Sequence, residues 1–330
     1  MVALMDISMQ MSSFENVLLL DNGIPNKSNT SENFYSCLLP KLTNLGIKKS
    51  FRPALNITQP TVVNVSMTLY AVLEVDEKKQ LISTFIWIEM HWYNNFLNWD
   101  PNECDGLEQA SLPVTSIWTP DMYIYEYTNE EQLPYAPYVY VTYNGKMTYL
   151  RPLKIVGFCT LQVFNFPFDV QNCSLTFRSL ALPVSDMRIQ LAKSVEEILV
   201  TSKENFNNKG EWELIDIISY IKLKKLRAGN WDNLKFWVVI RRRPIQYVVS
   251  LVVPTSLLML VDVLSFYMPP HCTDRAAFEM TILLGYVVFL LIVNDLLPST
   301  ATGIPVLSKA CSIVIYEISE ARRNFINLIP

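Results

Sequence analysis

The chain is 330 residues long, 50% hydrophobic and only 18% charged, with a formal net charge of -4. Acids and bases are spread along it and no basic tract points to a nucleic acid, while the apolar excess tilts the composition toward a membrane protein. The length is that of two domains, or of one domain and a membrane part.

In chain order, Met1–Leu20 makes a poor signal peptide: it has no basic n-region, and Asp6 and Glu15 interrupt its apolar residues. The true leader is therefore expected to be missing or atypical. Five N-x-S/T triplets, at Asn26, Asn29, Asn56, Asn64 and Asn172, are read as glycosylation acceptors of a translocated segment. Strand signals recur over Thr61–Val75, Ser83–Trp92, Tyr138–Tyr143, Lys154–Val163, Ser174–Arg178, Glu211–Lys222 and Leu234–Arg243, and Asn144-Gly145 is the strongest two-residue hairpin signal. Many short strands in a row predict an antiparallel, immunoglobulin-like β-sandwich whose loops can carry binding.

After Arg241-Arg242-Arg243-Pro244 the sequence becomes nearly continuous hydrocarbon, which marks a domain boundary. As helices, Ile245–Met268 and Ala276–Leu297 would span about 36 Å and about 33 Å, against a bilayer core of about 30 Å. The alternative is two core helices of a soluble protein, which rarely stay apolar all round for so long. The triple arginine then lies outside, against the positive-inside tendency, which a translocated N-terminal domain overrides. In the second span Asp274, Ala277, Thr281, Leu284, Val288, Leu291 and Asp295 recur at steps of three or four residues and share one stripe. Several copies around an axis would make acidic rings that concentrate cations and an apolar girdle near Leu284 that gates by dewetting. The alternative is a lipid-facing anchor. Glu279 lies off the stripe, where a buried carboxylate is costly, and is expected near the cytoplasmic mouth or paired with a neighbour.

Thirteen residues separate Cys159 from Cys173, with Phe166-Pro167-Phe168-Asp169 between them. This segment resembles the signature loop of the Cys-loop (pentameric) ligand-gated ion channels. The stretch from Asp274 to Pro298, and Arg241–Pro244 entering the first span, resemble type 3 serotonin receptor subunits. The resemblance implies an extracellular β-sandwich over 57–243 and an incomplete transmembrane helix bundle over 244–305, with helices at about 245–268 and 276–297. Residues 1–56 match poorly. The likeness ends near Pro305, and Val306–Glu317 is too short and too charged for a third span, so 306–330 is read as a divergent tail of a C-terminally shortened chain.

By the same resemblance, Cys159 and Cys173 form a disulfide, and closing a loop of about 15 residues stabilises the fold by roughly 3 kcal/mol on the chain-entropy view. Phe166, Pro167 and Phe168 would rest on the membrane domain and transmit ligand-induced motion. Asp169, with Asp76 or Glu77, would pair with the arginines Arg241, Arg242 and Arg243; the alternative is separate solvated charges worth under about 1 kcal/mol. Cys37 and Cys104 can also pair, but spacing leaves that connectivity open, and Cys272 and Cys311 are read as free thiols.

The resemblance places an ammonium ligand in an aromatic box between subunits, with Trp87 on the complementary side and Tyr125, Glu126, Tyr138, Tyr140, Leu180 and Trp231 around the rest. Leu180 stands where serotonin-binding subunits use a tryptophan, Tyr125 replaces their asparagine, and Glu89 stands where they carry a basic residue. The principal face is thus expected to be defective for serotonin, as in an accessory subunit beside a competent partner. The entrance lacks the Pro-Ala-Arg of anion channels, which implies a path for monovalent cations. The implied partners are a serotonin-like amine, homologous subunits in a pentamer and membrane lipid, with no cofactor, at a postsynaptic plasma membrane or held in the endoplasmic reticulum. A non-conducting assembly partner or decoy is the alternative. No nucleophile–base arrangement, phosphate loop or metal cluster points to an enzyme.

Overall fold

The structure is a computed structural model, and it describes residues 37, 40, 49–130, 138–207, 209–227, 229–265, 274–296, 309 and 316. Asn26, Asn29, the leader region and the tail lie outside the described residues, apart from Lys309 and Tyr316. The strands are β1 (Thr61–Asp76), β2 (Leu81–Tyr93), β3 (Gln109–Pro113), β4 (Met122–Ile124), β5 (Tyr127–Glu130), β6 (Tyr138–Thr142), β7 (Lys146–Phe158), β8 (Val170–Ser179) and β9 (Met187–Leu191). Helix α1 (Val195–Asn205) precedes the hairpin of β10 (Trp212–Leu226) and β11 (Gly229–Arg242). Two long helical stretches follow. The first, α2, joins Ile245–Tyr247, a π-helical turn Val248–Val252 and Val253–Ser265; the second, α3, is Asp274–Leu296.

One sheet runs β3-β6-β7-β2-β1-β9 with β5 added to β7, and the other runs β10-β11-β8-β4. Alternation builds the core between them. Val63, Val65, Met67 and Leu69 of β1 are fully buried and share one cluster with Phe177 of β8 and Phe236 of β11. All pairings are antiparallel except β1 with β9. The expected sandwich and following helices are what the chain forms.

Two details differ from the sequence reading. The strand expected over Lys154–Val163 instead runs from Lys146 to Phe158, with Pro152 inside it. Among the described residues β7 pairs with β6 at Met147 and Thr148 and with β5 from Ile155 onward, and Pro152 lies between the two. The hairpin expected at Asn144-Gly145 is present, closed by the three residues Tyr143, Asn144 and Gly145. Gly145 has φ +80°, and a Cβ there would meet the Asn94 carbonyl oxygen at 2.6 Å, so only glycine fits.

In α2, Pro254 removes a donor and its ring crowds the carbonyl one turn back, and the π turn lies immediately before it. Hydroxyls of Ser250, Thr255 and Ser256 donate to nearby carbonyls of the same helix. Ile245–Leu264 is long and apolar enough to cross a membrane. Helix α3 packs on α2, where Gly285 would carry a Cβ 3.4 Å from Leu258.

Candidate functional site

The Cys159–Cys173 disulfide forms, with Cα atoms 5.2 Å apart, and ties the start of the intervening loop to β8. A second disulfide joins Cys37 to Cys104, resolving the connectivity that spacing left open. Between Cys159 and Cys173 the chain reaches the helices, and its Phe166–Pro167 bond is cis. Val163 and Phe166 pack in one buried cluster with Leu251 of α2 and Phe289 of α3, and the Phe166 ring meets Tyr247 edge-on at 4.9 Å. Phe166 is only 4% exposed and Pro167 is buried, whereas Phe168 faces solvent.

Strand alternation at the end of β11 separates the three arginines. Arg241 and Arg243 are exposed, while the Arg242 side chain retains 1% of its surface. Arg242 donates from Nε to Asp169 at 2.9 Å, from Nη1 to Glu211 and from Nη2 to Glu77. Its guanidinium also stacks over Trp212 at 4.3 Å and lies 5.1 Å from Phe166 and 5.3 Å from Tyr247. Burial disfavours the charge, but hydrogen bonds to and attraction by Asp169 and then Glu77 outweigh it and hold the pKa above its ordinary value. The Tyr247 hydroxyl donates to Glu211 at 2.8 Å, and Gln171 donates to Asp169, so the acids are fixed in turn.

Of the acids expected to serve this cluster, Glu77 reaches Arg242. Asp76 instead pairs with Lys79 at 2.8 Å, and Arg241 pairs with Glu213 at 2.9 Å. Glu211, Trp212, Gln171 and Tyr247 were not singled out from the sequence. Tyr247, three residues beyond Arg243-Pro244, was the most legible of them, because it enters the first span directly.

The box residues divide between the two sheets. Trp87 of β2 and Tyr138 and Tyr140 of β6 belong to the first sheet. Tyr125, Glu126, Leu180 and Trp231 belong to the second or border it. One chain therefore does not bring Trp87 beside Tyr125. Trp87 is half-buried, 5.8 Å from the Tyr70 ring. Two residues along, Glu89 bonds to His91 at 3.1 Å and to Lys193 at 2.7 Å. The hydrogen bond with His91, opposed by burial and reinforced by Lys193, pulls the Glu89 carboxyl down to about 2. On the second sheet, Leu180 is 70% and Tyr125 58% exposed, while Trp231 of β11 is buried. The Glu126 carboxylate is engaged by Ser174 Oγ at 3.1 Å and by the Thr176 N–H and Oγ1 at 2.7 and 2.6 Å.

On α3, Ala277, Thr281, Leu284, Val288, Leu291 and Asp295 are all exposed, while Ile282, Tyr286 and Phe289 on the other side are buried. Asn56 and Asn172 are exposed and Asn64 half-buried.

A disulfide-tied sandwich whose loop seats on two apolar helices defines the class, and comparison with known proteins agrees. Residues 37–244 match the neurotransmitter-gated ion-channel ligand binding domain and residues 251–313 match the neurotransmitter-gated ion-channel transmembrane region. The chain belongs to the neurotransmitter-gated ion-channel family, whose members are channels and not enzymes. It is 44% identical over 261 residues to the 5-hydroxytryptamine receptor 3A of Mus musculus, covering 79% of this chain and 53% of that one. It is 43% identical over 256 residues to the 5-hydroxytryptamine receptor 3E of Homo sapiens, covering 77% and 56%. The acetylcholine receptor subunit delta of Rattus norvegicus is 30% identical over 276 residues, covering 80% and 53%. The chain spans about half the length of the curated relatives it matches.

Proposed function

We propose that this chain serves as an accessory subunit of a serotonin-type, neurotransmitter-gated cation channel in the plasma membrane, with its sandwich outside. The observation that carries the reading is the junction: Arg242 binds Glu77, Asp169 and Glu211 while Phe166 sits in the cluster with Leu251 and Phe289. A movement of the sandwich is thereby mechanically linked to both helices. The complementary side is Trp87 with its neighbours Tyr70 and Glu89, and the principal side is the outer face of the second sheet. The division of the box between opposite sheets supports a ligand held between adjacent subunits. The exposed stripe from Thr281 to Asp295 lines the pore, Asp295 concentrating cations and the leucines closing the path.

Recording agonist currents from a 5-hydroxytryptamine receptor 3A subunit with and without this chain tests the proposal. A changed single-channel conductance supports a place in the pore. Smaller currents at unchanged conductance would assign the chain to the non-conducting assembly role, and no effect together with no co-purification would overturn both.

A further inference from the structure

The outer face of the second sheet, the principal side in the reading above on which this inference rests, already contains its own cations. Arg178 of β8 lies directly opposite Tyr123 of β4, with its guanidinium 5.2 Å from the Tyr123 ring and 5.7 Å from the Tyr125 ring. Arg178 Nη2 also donates to the Tyr123 hydroxyl. From the far strand, Lys224 of β10 brings its ammonium 5.1 Å from the same Tyr125 ring. One row along, Lys235 stands 4.2 Å over Trp237. All of these distances are within the roughly 6 Å over which a ring face attracts a cation. Arg178 Nε is buried with no hydrogen-bond partner among the described residues, so the rings and the Tyr123 hydroxyl keep the guanidinium in place. The acid nearest this cluster in sequence, Glu126, is already engaged by Ser174 and Thr176.

We infer that Arg178 and Lys224 are built-in occupants of the aromatic face, and that they, as much as the missing tryptophan at Leu180, exclude ammonium ligands from this chain's principal side. An incoming ammonium meets rings whose negative faces are already used and two like charges within contact range of its seat. Replacing those two cations by shorter, neutral side chains exposes the rings to solvent and opens the face to an ammonium ligand.

The test is a titration of the full chain, reconstituted in nanodiscs, with tetramethylammonium, followed by intrinsic fluorescence. Arg178→Gln combined with Lys224→Gln is expected to bind roughly ten-fold more tightly than the wild type, within the range of one or two cation–π contacts. Adding Tyr125→Leu to that pair is expected to abolish the gain. Equal affinity in the wild type and the double variant overturns the inference, and so does a gain that survives Tyr125→Leu, because it then comes from bulk charge. If the double variant does not fold, Lys224→Gln alone, on an exposed hairpin, is expected to give about a three-fold gain, and no gain from it is equally decisive. The titration needs no pore. A chain that shows the gain but passes no current defeats only the channel reading, and one that shapes currents without the gain defeats only this inference.

Discussion

A guanidinium with 1% of its side-chain surface exposed would be severely destabilising unless its donors were matched. Arg242 is matched by three carboxylates that come from distant parts of the sequence: the first hairpin, the disulfide loop and the residue before β10. Arg242→Gln leaves Asp169 buried without its counter-ion, which is expected to cost about 3–5 kcal/mol, and Arg242→Lys less, since charge survives but the planar fork is lost. Thermal melts of the purified protein check this, and wild-type melting in both variants would contradict it. Glu89 supplies a pH signature. Its folded pKa, about 2, is below the ordinary 4.5, so the stabilisation is complete above 4.5 and is lost as pH falls toward 2. Between about pH 6 and about pH 3 the wild type should lose more stability than Glu89→Gln, and parallel losses would remove the Glu89 network from the account.

Among the elements, long strands with alternating burial were legible in the sequence, and so were the helices that follow the sandwich. Short ones were not. The strand β3 has five residues and β4 three, too few for alternation to stand out. The helix α1 was missed although Ser194 and Glu197 spell a capping box, and the structure shows both of its hydrogen bonds, each 3.2 Å long. Its Ser202 hydroxyl accepts from the Leu69 N–H, beside a bulge in β1, so the helix satisfies a donor that β2 does not. Ser194→Ala is expected to cost about 1 kcal/mol, a shift of roughly 2–4 °C in melting temperature. A melt identical to the wild type would show that packing alone holds α1. The candidate site was legible where residue types were unusual, as in the disulfide loop and the arginine run. It was not legible where the partner was fixed only by pairing across the sheet, as with Tyr123 and Arg178, because register between distant strands is not written locally.

At the scale of the whole molecule, the question is what the exposed side of α3 faces. Leu284 is 61% exposed, while Ile282, Tyr286 and Phe289 are buried, Phe289 in the cluster with Leu251 of α2 and Phe166 of the disulfide loop. Ideal helix geometry puts Ala277, Thr281, Leu284, Val288, Leu291 and Asp295 within an arc of about 80°, so the stripe is one continuous face. Lipid would accept Leu284 and Val288 but not Asp295 at the end of the same stripe, whereas a water-filled axis accommodates the acid and uses the leucines as a dewetting barrier. If the closed barrier in an assembled receptor draws about 1.5 kcal/mol from this leucine, Leu284→Ser shifts the agonist response roughly ten-fold toward lower concentration, or leaves a standing leak. Recording from the 5-hydroxytryptamine receptor 3A subunit co-expressed with this variant measures that shift. Currents indistinguishable from those with the unmodified chain, at equal surface amounts, would mean that this face meets lipid or another helix and never the ion path.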